Sequence, residues 1–122
     1  MEIKWKNDVD QHDYLAAYDY LTLVMSTAEA DRARNGLLSA PLTVKKGKDI
    51  LRASRLPLLR EDNHHVKKDI KKLESNEALS PILLVVMNNG EQALIIADGY
   101  HRLCAAYLTD EDLEISCKIT YL

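Results

Sequence analysis

The residues best equipped for chemistry are Asp98-Gly-Tyr-His-Arg102, which follow the apolar run Leu94-Ile-Ile96 and precede Leu103-Cys-Ala-Ala-Tyr107. An apolar run followed by helix-favouring residues predicts a strand running directly into a helix. A helix start leaves its first N–H groups without carbonyl partners at the positive end of the dipole, which suits an anion. Asp98 is the expected N-cap, because its carboxylate can accept from those N–H groups. Gly99 permits a sharp turn and a close approach by another group. Arg102, in the first turn, adds a guanidinium able to grip phosphate or carboxylate with two hydrogen bonds. His101 adds a ring that donates a hydrogen bond or carries charge near neutral pH. A plainer arrangement uses the same residues: Asp98 and Gly99 only make the turn, and Arg102 pairs with a carboxylate such as Asp98 or Glu111.

The elements that must position this turn are legible in outline. Residues 11 to 35 read as helix, broken near Ser26, where Ser26-Thr-Ala-Glu29 is a capping-box pattern and Gly36 a plausible stop. Leu15, Tyr18, Leu21, Leu23, Val24 and Met25 form an apolar stripe there, and Tyr14, Tyr18 and Tyr20 are expected in the core with wet hydroxyls. Residues 41 to 45 suit a short edge strand, and residues 48 to 54 a short helix. Asn63 is the expected N-cap of a helix from His64 to Ser75, with Val66, Ile70 and Leu73 facing the core and Lys67, Lys68, Lys71 and Lys72 mostly outward. Pro81 leads a strand from Ile82 to Met87 whose continuous apolar character predicts burial on both faces. Asn88-Asn-Gly-Glu91 is a hairpin signal, with the return strand over 93–97. Ile115, Cys117, Ile119 and Tyr121 alternate with polar residues, which predicts a half-buried last strand.

Composition bounds the rest. The chain of 122 residues is expected to be one domain with an α+β fold: a small mixed sheet with helices packed on it. An apolar fraction of 47% allows a real core, and the lack of phenylalanine leaves Leu, Ile, Val and Tyr to fill it. No run is long enough to span a membrane, and the first residues lack the apolar segment of a secretory signal. Two cysteines make no disulfide framework, so a cytoplasmic protein with reduced thiols is expected. Residues 41 to 76 carry a net charge of +5 inside a chain of −3, which suits an anionic partner or a solvated helix face; overall acidity argues against general nucleic-acid binding. His64 and His65 are adjacent, so on a helix their rings diverge by about 100° and do not easily share a metal; no zinc cluster supports them and no metal is expected.

Asp98-Gly-Tyr-His-Arg-Leu-Cys-Ala-Ala106 resembles the phosphate-binding turn of the ParB/sulfiredoxin superfamily, where a strand is followed by a Gly-x-x-Arg turn and an Ala-containing helix. Residues 62 to 75 resemble the superfamily's preceding helix, and Leu79-Ser-Pro-Ile-Leu-Leu-Val85 its Pro-led strand. The resemblance covers about residues 42 to 120, which implies a ParB/sulfiredoxin-like core over 41–122 and an added helical segment over 1–40, read as a cover on that core. It implies a nucleoside triphosphate, CTP or ATP with Mg2+, held by Asp98, Gly99, Tyr100, His101 and Arg102, with Asn63 and His64 as further pocket residues. Members include nucleases and phosphotransferases, so a nucleotide hydrolase or phosphotransferase falls within what the resemblance implies.

The departures limit what carries over. Sulfiredoxins place a reactive cysteine between the Gly and the His, where this chain has Tyr100; Cys104 lies one turn on and is expected to face the core. Sulfinic-acid reduction needs a thiolate nucleophile, so it is not expected, and Tyr100 is expected to line the pocket without acting as a nucleophile. Partition proteins also carry a DNA-reading helix-turn-helix and a dimerisation domain, for which nothing after the turn leaves room; DNA binding by this chain alone is not expected. The alternative function is a non-catalytic protein-interaction module that keeps the fold as a scaffold.

Overall fold

The computed structural model describes residues 2–87 and 92–122, so the expected Asn88–Glu91 hairpin turn lies outside the described residues. Among the described residues, five helices and one four-stranded mixed sheet form the expected α+β class. The chain runs α1 (Gln11–Val24), α2 (Thr27–Ser39), β1 (Thr43–Lys46), α3 (Gly47–Ser54), α4 (His64–Glu74), β2 (Ile82–Val86), β3 (Ile95–Asp98), α5 (Tyr100–Thr109) and β4 (Glu114–Tyr121). The strand order is β1-β4-β2-β3. β4 pairs antiparallel with β1 and parallel with β2, and β2 pairs antiparallel with β3. The Pro-led strand is therefore central, and its Ile82, Leu83, Leu84 and Val85 are fully buried. Among the described residues, no helix is long and apolar enough to cross a membrane.

The alternation of β2 splits the core in two. Leu83 and Val85 pack with Ala97 against Tyr14, Ala17, Leu21, Ala30, Ala33 and Leu37 of α1 and α2. Ile82 and Leu84 face the other way, against Leu103 and Ala106 of α5 and Ile50 of α3. α4 lies on α5 through Val66, Leu73, Cys104 and Ala105. The segment before α1 is stitched to the loop before β2, with Lys6 N–H donating to Leu79 at 2.8 Å and Leu79 N–H to Lys4 at 2.9 Å.

Three expectations need correction. Gly36 does not stop the second helix, which continues to Ser39. Its hydrogen instead lets α2 press onto β4: a Cβ there would meet Thr120 Oγ1 at 2.0 Å. β4 is not half-buried either: Ser116, Lys118 and Thr120 are buried, Thr120 against Gly36 and Lys118 reaching the Leu38 carbonyl of α2. The α1 stripe is shifted as well. Its buried face is Asp13, Tyr14, Ala17 and Leu21, while Leu15 and Leu23 are 69% and 83% exposed. The break at Ser26 is as expected, with both capping-box hydrogen bonds present.

Gly36→Ala is expected to destabilise the protein. Alanine gains up to about 1 kcal/mol of helix propensity, but overpacking a tight contact costs roughly 1–3 kcal/mol. Chemical denaturation would show a lower midpoint, partly restored by adding Thr120→Ala. A higher midpoint for the single variant would contradict the close α2–β4 approach.

Candidate functional site

β3 runs from its apolar residues straight into α5, and the turn between them differs from expectation. Gly99, not Asp98, is the N-cap of α5, with φ of +105°, and no side chain caps the helix. A side chain at 99 would also strike Ile82, whose Cγ2 would lie 2.3 Å from the new Cβ. Glycine is thus required by the strand-to-helix packing itself. Tyr100, His101 and Arg102 form the first turn of α5, whose N–H groups have no carbonyl within the helix; the first such bond is Leu103 N–H to Gly99 at 2.9 Å.

Asp98 is occupied elsewhere: its carboxylate accepts from Arg102 Nη2. Arg102 Nη1 donates to Asp13 Oδ2 at 3.0 Å and to the Ser80 carbonyl at 3.0 Å. The guanidinium is 14% exposed, and the Asp13 and Asp98 carboxylates 8% and 19%. Arg102 therefore joins α1, the loop before β2, the end of β3 and α5. The plainer arrangement, Arg102 paired with Asp98, is the one present, and Asp13 reinforces it. The N-terminal helix is accordingly part of this site as well as a cover. Ser80 is buried beside the network, and its Oγ accepts from Asp10 N–H at 3.0 Å.

A cleft of about 360 Å³ opens beside this network. Asp98, Gly99, His101 and Arg102 border it; Tyr100, Asn63 and His64 are not among its lining residues. Tyr100 is held by a hydrogen bond from its hydroxyl to the Pro57 carbonyl. Asn63 is the expected N-cap of α4, accepting from His65 and Val66 N–H at 3.0 and 3.2 Å. His64 is exposed, whereas the ring of its neighbour His65 lies 4.8 Å from that of His101.

The cleft also holds residues that the sequence did not single out. From α4 come His65, Lys68, Asp69 and Lys72, and from the N-terminal segment Lys6, Asp10, His12 and Asp13. The α4 set has the spacing i, i+3, i+4, i+7, a polar stripe beside the apolar one, which is the signal that could have found it. Asp13 had a signal too, as a carboxylate within the buried stripe of an amphipathic helix.

Electrostatics follow from burial. Desolvation pushes the Asp98 carboxyl up to about 6; the charge of Asp13 adds to this and Arg102 opposes it. Burial also raises Asp69. Burial lowers His101, with His65 adding and Asp69 opposing. The two thiols are buried, and burial raises both, Cys117 to about 11, which suits neither to nucleophilic chemistry. Ligand atoms of Asp10, His12 and Asp13 lie within 4.8 Å of one another. Their carboxylates are already met by cations, Asp10 by Lys6 at 3.0 Å and Asp13 by Arg102.

Because Asp98 binds its proton more tightly folded than unfolded, it makes stability fall as pH rises from about 4 to about 6, and it adds no slope outside that window. Asp69 acts in the same direction and His101 in the opposite one, so the diagnostic quantity is the difference between wild type and Asp98→Asn. Urea midpoints measured across this range should show a fall on the order of 1–3 kcal/mol in wild type that the variant lacks. Parallel profiles would contradict the buried, proton-holding Asp98.

Compared with known proteins, the chain matches no family model, no curated protein and no solved structure.

Proposed function

We propose that the cleft binds a phosphate-bearing small molecule of the nucleotide class, as the resemblance to the ParB/sulfiredoxin turn implies. The observation that carries this is the uncapped N-terminus of α5 bordering a cleft shared with Lys68, Lys72, His65 and His101. Uncapped N–H groups at the positive end of a helix favour an anion, and lysines one turn apart on α4 add point charges beside them. A volume of about 360 Å³ is in the range of small-molecule sites. Arg102 borders the cleft and also ties its walls together. Its terminal nitrogens meet two carboxylates and a carbonyl, and the lysines of α4 and the α5 N–H groups stand beside it in the cleft lining.

A magnesium ion arriving with the nucleotide would be held chiefly by its phosphates. Of the cleft's oxygen ligands, Asp10, Asp13 and Asp98 pair with Lys6 and Arg102, while Asp69 stands on α4 between Lys68 and Lys72. A second reading, the protein-interaction module, draws on the outer face of α1, where Leu15 and Leu23 stand exposed two turns apart.

Calorimetric titration with CTP, ATP and inorganic phosphate, with and without magnesium, tests the proposal. At least one nucleotide is expected to bind, and Lys68→Ala or Lys72→Ala to weaken it about tenfold, the loss of one charge-assisted hydrogen bond. No binding by any of these ligands at millimolar concentration would overturn the proposal in favour of the interaction module.

A further inference from the structure

The packing of α4 on α5 through Val66, Cys104 and Ala105 brings His65 against His101. Their ring centres are 4.8 Å apart and the ring planes are tilted by 49°. Two imidazoles bound to one metal at about 2.0–2.1 Å per nitrogen, at right to tetrahedral angles, place their ring centres roughly 4.5–5.2 Å apart. His64 does not share that geometry: its ring centre is 5.6 Å from that of His65, and it does not line the cleft. Asp69 lies one turn after His65 on the same face of α4 and is half-buried. Burial raises its carboxyl, and Lys72, Arg102, His101 and His65 lie near enough to oppose that rise. Burial lowers His101, with His65 adding and Asp69 opposing, which favours the neutral imidazole that a metal needs. Among the described residues, no hydrogen bond or ion pair engages the Asp69 carboxylate or either ring. All three residues line the cleft.

We propose that His65, His101 and Asp69 form a binding site for a divalent transition metal of the zinc class. Imidazole nitrogen and carboxylate oxygen are ligands such an ion takes, and two histidines with one carboxylate leave a fourth tetrahedral position for water. The three donors do not all converge within 4.8 Å; among the described residues, Asp10, His12 and Asp13 do so. Closing the site on α4 and α5 takes a rotation of the Asp69 side chain, which no hydrogen bond opposes. The Asp10 group is less suited to a metal, because Lys6 and Arg102 already neutralise its carboxylates. Lys68 and Lys72 share the cleft lining and disfavour a hard cation held by charge alone. An ion bound through imidazole nitrogens depends less on charge, which selects the zinc class over magnesium or calcium. Metal binding here needs no nucleotide in the cleft.

Zn2+ would be titrated calorimetrically into the untagged protein near neutral pH, and Co2+ followed by its visible absorption as a report on coordination geometry. Wild type should bind one Zn2+ per chain. His65→Ala and His101→Ala should each weaken binding at least tenfold, since outer-shell partners alone are worth about 10–100-fold in metal affinity. Asp69→Asn should weaken it as well. His65 is exposed, so its replacement leaves the fold intact, and circular dichroism gives the folded fraction of His101→Ala. His64→Ala and His12→Ala should bind like wild type. Zn2+ affinity unchanged in His65→Ala, or lost in His12→Ala, would overturn the proposal and place the metal elsewhere. No binding by wild type at sub-millimolar Zn2+ would also overturn it, leaving the two rings as a packing contact between α4 and α5.

Discussion

One cation, Arg102, decides how the two halves of this chain meet. Its guanidinium is buried at the end of the sheet, and a buried charge is costly unless paired and hydrogen-bonded. Asp13 from α1, Asp98 from β3 and the Ser80 carbonyl before β2 meet that requirement together. Each of these groups is delivered by a different element. The register of the α1 helix, the antiparallel β2–β3 pairing and the left-handed Gly99 turn must all be correct for the network to close. Burial pushes the Asp98 carboxyl up to about 6, the Arg102 guanidinium opposes that rise, and the second carboxylate, Asp13, adds to it.

The same network shapes the cleft. By fixing Asp13 and Asp98 it holds the carboxylate side of the cavity in place, and by fixing α5 it holds the helix start beside α4. The anion-favouring elements, the α5 N–H groups with Lys68 and Lys72, share this cleft with carboxylates that Arg102 and Lys6 neutralise. Removing Arg102 would do more than remove one anion-binding group. It would leave Asp13 and Asp98 buried and close together, and the walls of the cleft would lose their common anchor.

Local chemistry was readable where one residue type dictates one geometry. The capping box at Ser26, the Asn63 cap, the doubly buried Pro-led strand and the strand-to-helix turn at Gly99 all follow from hydrogen-bonding and burial requirements within a few residues. What was not readable depends on partners distant in sequence. Gly36 lies inside its helix, where the lack of a Cβ leaves room for Thr120, more than eighty residues on. The polar residues of β4 are buried because α2 covers them. Asp98 looked like a cap because it stands just before the helix, but Arg102, one turn on, takes its carboxylate instead. Asp13 is the clearest case: nothing near it in sequence announces an arginine 89 residues later, and only the fold of α1 onto the sheet joins them.

The central claim is that Asp13 and Arg102 are energetically coupled across the whole fold. A double-mutant cycle with Asp13→Asn, Arg102→Met and the combined variant, read by urea denaturation at neutral pH, measures that coupling directly. A coupling of about 1–3 kcal/mol, with the double variant less destabilised than the two single effects together, is the predicted result. Additive effects would contradict it, and would mean that α1 docks on the sheet independently of the turn at Gly99.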